Sequence, residues 1–119
     1  MNKQKFIYLF ILMSYIKAGL LIPEHQDTLS KIHVLFEWEQ EPLAIGYNLQ
    51  ISETDTFDDT LLDTNIYDLI YIDKNHLNWE KQYFWRVGSI LENNDFFSWI
   101  DTNQFYISNS ALDGSENIN

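Results

Sequence analysis

Cysteine is absent from the 119 residues. That excludes a disulfide framework, a thiol nucleophile, a Cys-based zinc site and a lipid anchor built on an N-terminal cysteine. Cations are scarce: 7 Lys+Arg stand against 18 Asp+Glu, for a formal charge of −11. Long-range electrostatics of that sign oppose contact with nucleic acid and with anionic lipid, so neither is an expected partner. With only 4 Gly there is no phosphate-cradling glycine loop, no dinucleotide fingerprint and no Gly-x-Ser-x-Gly, and enzyme signatures are missing altogether. No cofactor is expected. No long apolar stretch exists either: residues 6–16 (FIYLFILMSYI) reach about half of the ~20 residues that a membrane-spanning helix needs. What the chain does have is 45% hydrophobic residues, among them 4 Trp, 7 Tyr and 8 Phe, enough to stabilise one packed domain by burial alone.

The order at the N-terminus is that of a secretory signal peptide: a basic start with Lys3 and Lys5, the apolar run, then Lys17 and the small residues Ala18 and Gly19. Cleavage is expected after Ala18, within bounds of 18–22, so that residues 1–18 form the signal helix and the first 22 residues stand outside the fold. The product is expected to be secreted, periplasmic or at the cell surface, without a stable membrane span. An uncut chain would instead be tethered by residues 6–16. Removal of Lys3, Lys5 and Lys17 leaves Lys31, Lys74, Lys81 and Arg86 as the fixed cations. Residues 109–119 (NSALDGSENIN) are polar and read as a disordered tail or linker, consistent with the chain being the front of a longer exported protein.

Between these ends the hydrophobic period is two. Val34, Phe36 and Trp38 alternate with polar neighbours, as do Tyr47, Leu49 and Ile51, then Tyr83, Trp85 and Val87, then Phe105 and Ile107. Each run stops at a turn signal, such as Glu41-Pro42 or the acidic stretch 52–59. Between Leu61 and Leu77 one further strand is expected; residues 60–63 could form a short edge, and residues 67–72 (YDLIYI) carry apolar side chains on both faces, which leaves the buried face open. Strands at roughly ten-residue intervals, with no 3.6-residue periodicity after the leader, predict an all-β antiparallel sandwich.

The series Phe36-x-Trp38, Tyr47-x-Leu49-Gln50-Ile51-Ser52, Phe57, Leu77, Tyr83-Phe84-Trp85-Arg86-Val87, Ser98-Trp99 and Phe105 resembles a fibronectin type III domain of the kind found in exported bacterial proteins. The resemblance covers residues 21–108. It implies seven strands in two sheets, with Trp38 as the core tryptophan and with Leu77 and Tyr83 forming a tyrosine corner, in which the hydroxyl binds backbone just upstream. Trp79 stands where the family often has Pro, which would shape the corner differently. Tyr47 and Trp85 complete the expected core. For function the resemblance implies adhesion, spacing or ligand display without catalysis, toward an extracellular protein or glycan. The chain contains no Arg-Gly-Asp, and Ser98-Trp99 is only half of a Trp-Ser-x-Trp-Ser pattern.

Four groups carry candidate chemistry. Glu37 and Glu39, two apart on a strand, have the separation of an inverting glycosidase pair, but a sheet face lacks the cleft that such catalysis requires. Asp55, Asp58, Asp59 and Asp63 crowd one turn; the alternative function, a calcium-dependent adhesive module, would use them, although their spacing matches no EF-hand and a solvated acidic edge suits them better. His25, His33 and His76 share no metal-ligand spacing and read as surface residues. Arg86 and Trp99 suit a guanidinium–indole clasp, whereas Phe84, Arg86, Phe96, Phe97 and Trp99 together would offer a binding platform for sugar rings or an apolar patch. Both readings stand.

Overall fold

The computed structural model describes residues 18–110, the side chain of Phe97 excepted. Strands β1 (Leu20–Ile22), β3 (Val34–Trp38) and β6 (Ile70–Asp73) form a small sheet in the order β1-β3-β6. Strands β2 (Asp27–Leu29), β8 (Phe96–Ile107), β7 (Lys81–Ile90), β4 (Gly46–Ser52) and β5 (Thr60–Ile66) form the larger one in the order β2-β8-β7-β4-β5. The alternation of each run has a direct consequence: Val34, Phe36 and Trp38 from one sheet meet Leu49, Ile51, Tyr83, Trp85, Val87, Phe105 and Ile107 from the other in a single core. Edge-to-face rings tie the layers together. Phe36 lies 5.0 Å from Trp85 and 5.8 Å from Phe105, and Trp38 lies 5.8 Å from Tyr47.

Among the described residues there are eight strands rather than seven because the first one breaks. Proline has no N–H to continue a ladder. At the buried Pro23 the chain leaves the small sheet, where β1 runs antiparallel to β3, and crosses to the large one, where β2 runs parallel to β8. The sandwich is thus antiparallel except along β2–β8. The placement of β1 also corrects the expectation that the first 22 residues stand outside the fold. Leu20–Ile22 is a strand of the small sheet, and Ala18 is buried against the core. The signal helix expected over 1–18 lies outside the described residues apart from Ala18. The tail expected over 109–119 lies outside them beyond Ser110; Asn109 donates its N–H to Glu80 Oε2 at 2.6 Å.

The stretch 61–77 holds two strands, not one. β5 extends the large sheet along β4, and β6 crosses to pair with β3. β6 inverts the usual pattern: Asp73 is wholly buried and Tyr71 half-buried, whereas Ile70 and Ile72 face solvent. At the following corner Tyr83 Oη accepts the Asn78 N–H at 2.8 Å over a buried Leu77, with Trp79 packed half-buried against the core. The corner therefore closes without a proline. A second tyrosine does the same work at the other end of the sandwich, where Tyr47 Oη accepts the Glu41 N–H at 2.9 Å.

Candidate functional site

Strand pleating places Asn48 and Gln50 (β4), Phe84, Arg86 and Gly88 (β7), and Asp63 and Asn65 (β5) on the outer face of the large sheet. Register sets them in rows: Asp63, Gln50, Arg86 and Thr102 in one, and Asn65, Asn48, Gly88 and Trp99 in the next. The Arg86 guanidinium lies 3.8 Å above the Trp99 ring and 4.1 Å from the ring of Phe57, so it is held between two aromatic faces. Phe57 reaches it from the 53–59 loop in a left-handed conformation (φ 57°) and is itself buried. Arg86 Nε donates to Gln50 Oε1 at 2.9 Å, Gln50 Nε2 to Asp63 Oδ2 at 3.1 Å, and Asn48 Nδ2 to Asp63 Oδ1 at 2.9 Å and to Asn65 Oδ1 at 3.0 Å. Burial lowers the Arg86 pKa and the nearby Asp63 carboxylate opposes that shift.

Gly88 completes the surface. A Cβ there would stand 2.1 Å from a ring atom of Phe96 and 3.0 Å from Trp99, so the two rings occupy the space a side chain would take. They meet edge to face at 4.8 Å. The structure thus unites Arg86, Phe96 and Trp99 in a clasp whose indole face is already covered by guanidinium. Phe84 sits in the row of Ser52 and Gln104, and the side chain of Phe97 lies outside the described residues. Of the five platform candidates, Arg86, Phe96 and Trp99 are the ones in mutual contact. Phe57 is the member that spacing could not reveal, because a left-handed turn aims its side chain independently of strand period.

The acidic candidates do not converge. Asp55, Asp58 and Asp59 are exposed, both oxygens of Asp63 are taken by Asn48 and Gln50, and among the described residues no three His, Asp or Glu side chains stand close enough to hold a metal ion. β3 ends at Trp38, and the exposed Glu39 beyond it accepts the Gly19 N–H at 2.9 Å. Both glutamates border an open groove beside Ala18, Leu21, Trp38 and Leu69, but one of them is committed to backbone. His33 is exposed, His25 Nδ1 accepts the Gln104 N–H at 3.2 Å, and His76 is not a plain surface residue. Its Nδ1 meets the buried Asp73 Oδ1 at 2.6 Å while its N–H reaches Oδ2 at 3.0 Å, which partners both oxygens of the carboxylate.

A second surface lies at the end of the sandwich where the loops 39–45 and 91–95 meet. Leu43 is 86% exposed and Ile45 49%, beside a half-buried Leu91 and the carboxylates of Glu92 and Asp95. Leu43 holds φ 70°, and Asn93 and Asn94 hold φ 73° and 64°. Asparagine tolerates that region and leucine does not. The signal in the sequence was two aliphatic residues placed just after the turn residues Glu41-Pro42, where polar side chains are usual.

No family model matches the chain, and no curated protein does. Among solved structures it is similar to a Fn3-like protein from Clostridium thermocellum, with 18% sequence identity, a TM-score of 0.58, and coverage of 75% of this chain and 88% of that one. The fold is fibronectin type III-like. Two sheets and a tyrosine corner agree with that likeness, and among the described residues no helix is long and apolar enough to cross a membrane. At that identity the likeness gives the fold alone, and function has to be argued from the surface.

Proposed function

We propose that this chain is an exported contact module that binds a protein partner through the end of the sandwich formed by loops 39–45 and 91–95. The observation that carries the reading is Leu43. A leucine held left-handed costs roughly 1–2 kcal/mol, and here that strain presents the side chain to solvent at 86% exposure instead of burying it. Ile45 and Leu91 extend the apolar surface, and Glu92 and Asp95 give it an acidic rim. Aliphatic side chains in a shallow concavity suit the apolar patch of a protein with basic flanks better than a sugar ring, which stacks on flat aromatic faces. Export is supported by the basic start, the short apolar run and the small residues at 18 and 19.

The test is site-specific photocrosslinking in the exporting cell, with the reactive side chain at position 43 and, as a control, at position 31. Adducts of one discrete mass at 43 and none at 31, lost when Ile45→Lys is added, support the reading. Equal labelling at both positions overturns it. A glycan reading rests on the half-exposed ring of Phe96 beside Trp99. Glycan-array binding that Trp99→Ala abolishes and Leu43→Asp leaves intact would move the function to the sheet face.

A further inference from the structure

Ahead of β1 one residue is gripped twice by another. Glu39 donates its N–H to Gly19 O at 2.9 Å, and Gly19 returns its own N–H to Glu39 Oε1, also at 2.9 Å. The first bond continues the backbone pairing of β1 with β3. The second is of another kind, since the acceptor is the carboxylate of an exposed glutamate from just beyond β3. An ammonium adds the attraction of two opposite unit charges to the hydrogen bond, which a peptide N–H, a dipole, does not supply, so the carboxylate is better matched to an ammonium. The residue upstream is Ala18, small enough for the position before a leader-peptidase cut, and before it come Lys17 and the apolar run 6–16.

We propose that the Ala18–Gly19 peptide bond is a processing site and that the α-ammonium it releases on Gly19 docks on the Glu39 carboxylate. The inference rests on the export reading and its cut after Ala18, and adds the receptor for the new terminus. The chemistry is hydrolysis by a leader-removing peptidase: water adds to the Ala18 carbonyl, the C–N bond breaks, Ala18 keeps a carboxylate on the departing leader, and the Gly19 nitrogen takes up protons. The fold selects this bond over its neighbours. A cut after Gly19 discards both halves of the grip, and a cut after Ile22 removes β1 whole, uncovering the edge of β3. A cut after Ala18 keeps the strand and gives up one small side chain, which is 8% exposed. Glu39 then faces a full positive charge where it had faced a dipole.

The full chain, expressed in a bacterium with a working general export pathway, supplies the test. Protein recovered outside the cytoplasm is expected to begin at Gly19 by intact mass. Its α-amine is expected to react with an acetylating ester about 1.5- to 5-fold more slowly than that of Glu39→Gln, which corresponds to the usual strength of an exposed ion pair. Acetylation at Lys31 serves as the internal reference, and Glu37→Gln is expected to leave the ratio unchanged. Exported protein that begins at another residue overturns the site and leaves export standing. An intact chain overturns the site together with the export reading. A Gly19 terminus whose reactivity is the same in Glu39→Gln, or is raised equally by Glu37→Gln, overturns the docking.

Discussion

The two ends of the sandwich hold strained backbone in opposite ways. At the end that carries the tyrosine corner, Phe57 and Glu80 have φ 57° and 59°, and each is compensated: Phe57 is buried under Arg86, and the Glu80 carboxylate accepts from Tyr106 Oη at 3.0 Å and from the Asn109 N–H at 2.6 Å. At the other end Leu43 has φ 70°, and its side chain goes into solvent. The same conformational cost is thus offset by packing and hydrogen bonds at one end and retained at the other. Strain that packing repays is part of the architecture, whereas strain that only displays a side chain points to a surface in use.

The comparison breaks if the corner end tolerates truncation. His76→Ala leaves Oδ1 of the buried Asp73 without a partner, while the backbone N–H of residue 76 still serves Oδ2, and is expected to lower unfolding stability by about 1–3 kcal/mol in urea titration. A change typical of an exposed histidine, under about 0.5 kcal/mol, would remove the contrast between the ends. Tyr83→Phe deletes the bond to Asn78 and is expected to cost about 1–2 kcal/mol; an unaltered melting curve would mean that the corner is not what pins the crossover. At the other end the sign reverses. Leu43→Gly is expected to raise stability by about 1 kcal/mol while abolishing the position-43 contact, and a loss of stability would show that Leu43 packs rather than displays. The smallest effect belongs to the sheet face. Arg86→Lys keeps the charge but not the planar stack between Phe57 and Trp99, for an expected cost of about 0.5–1 kcal/mol, and quenching of Trp99 fluorescence should change with it.

Strands whose inward residues are all apolar were legible from the chain alone. β3, β4 and β7 read as they fold because Val34, Phe36 and Trp38, and their counterparts, sit at every second position. β6 was not legible: its inward residues are Tyr71 and Asp73, and its isoleucines point outward, so the pattern names the wrong face. Asp73 is stable there only because His76, three residues on, satisfies it, and a partner in a turn leaves no periodic trace. The break at Pro23 was likewise hidden, since a chain that changes sheets within a few residues keeps no common period. For the candidate site, the pairing of Arg86 with Trp99 was accessible from strand register, whereas the Phe57 lid and the exposed Leu43 depend on left-handed residues that alternation does not encode.

The parallel pairing of β2 with β8 has a mechanical side. Asp27, Thr28 and Leu29 lie opposite Phe105, Tyr106 and Ile107, so the entry to the first of these segments and the exit of the second are at opposite ends of the ladder. Tension applied along the chain from both directions would load those hydrogen bonds together, in shear, instead of opening them one after another. A domain threaded in this way resists being drawn out into a line, which suits a part that must hold its shape while something else pulls on it.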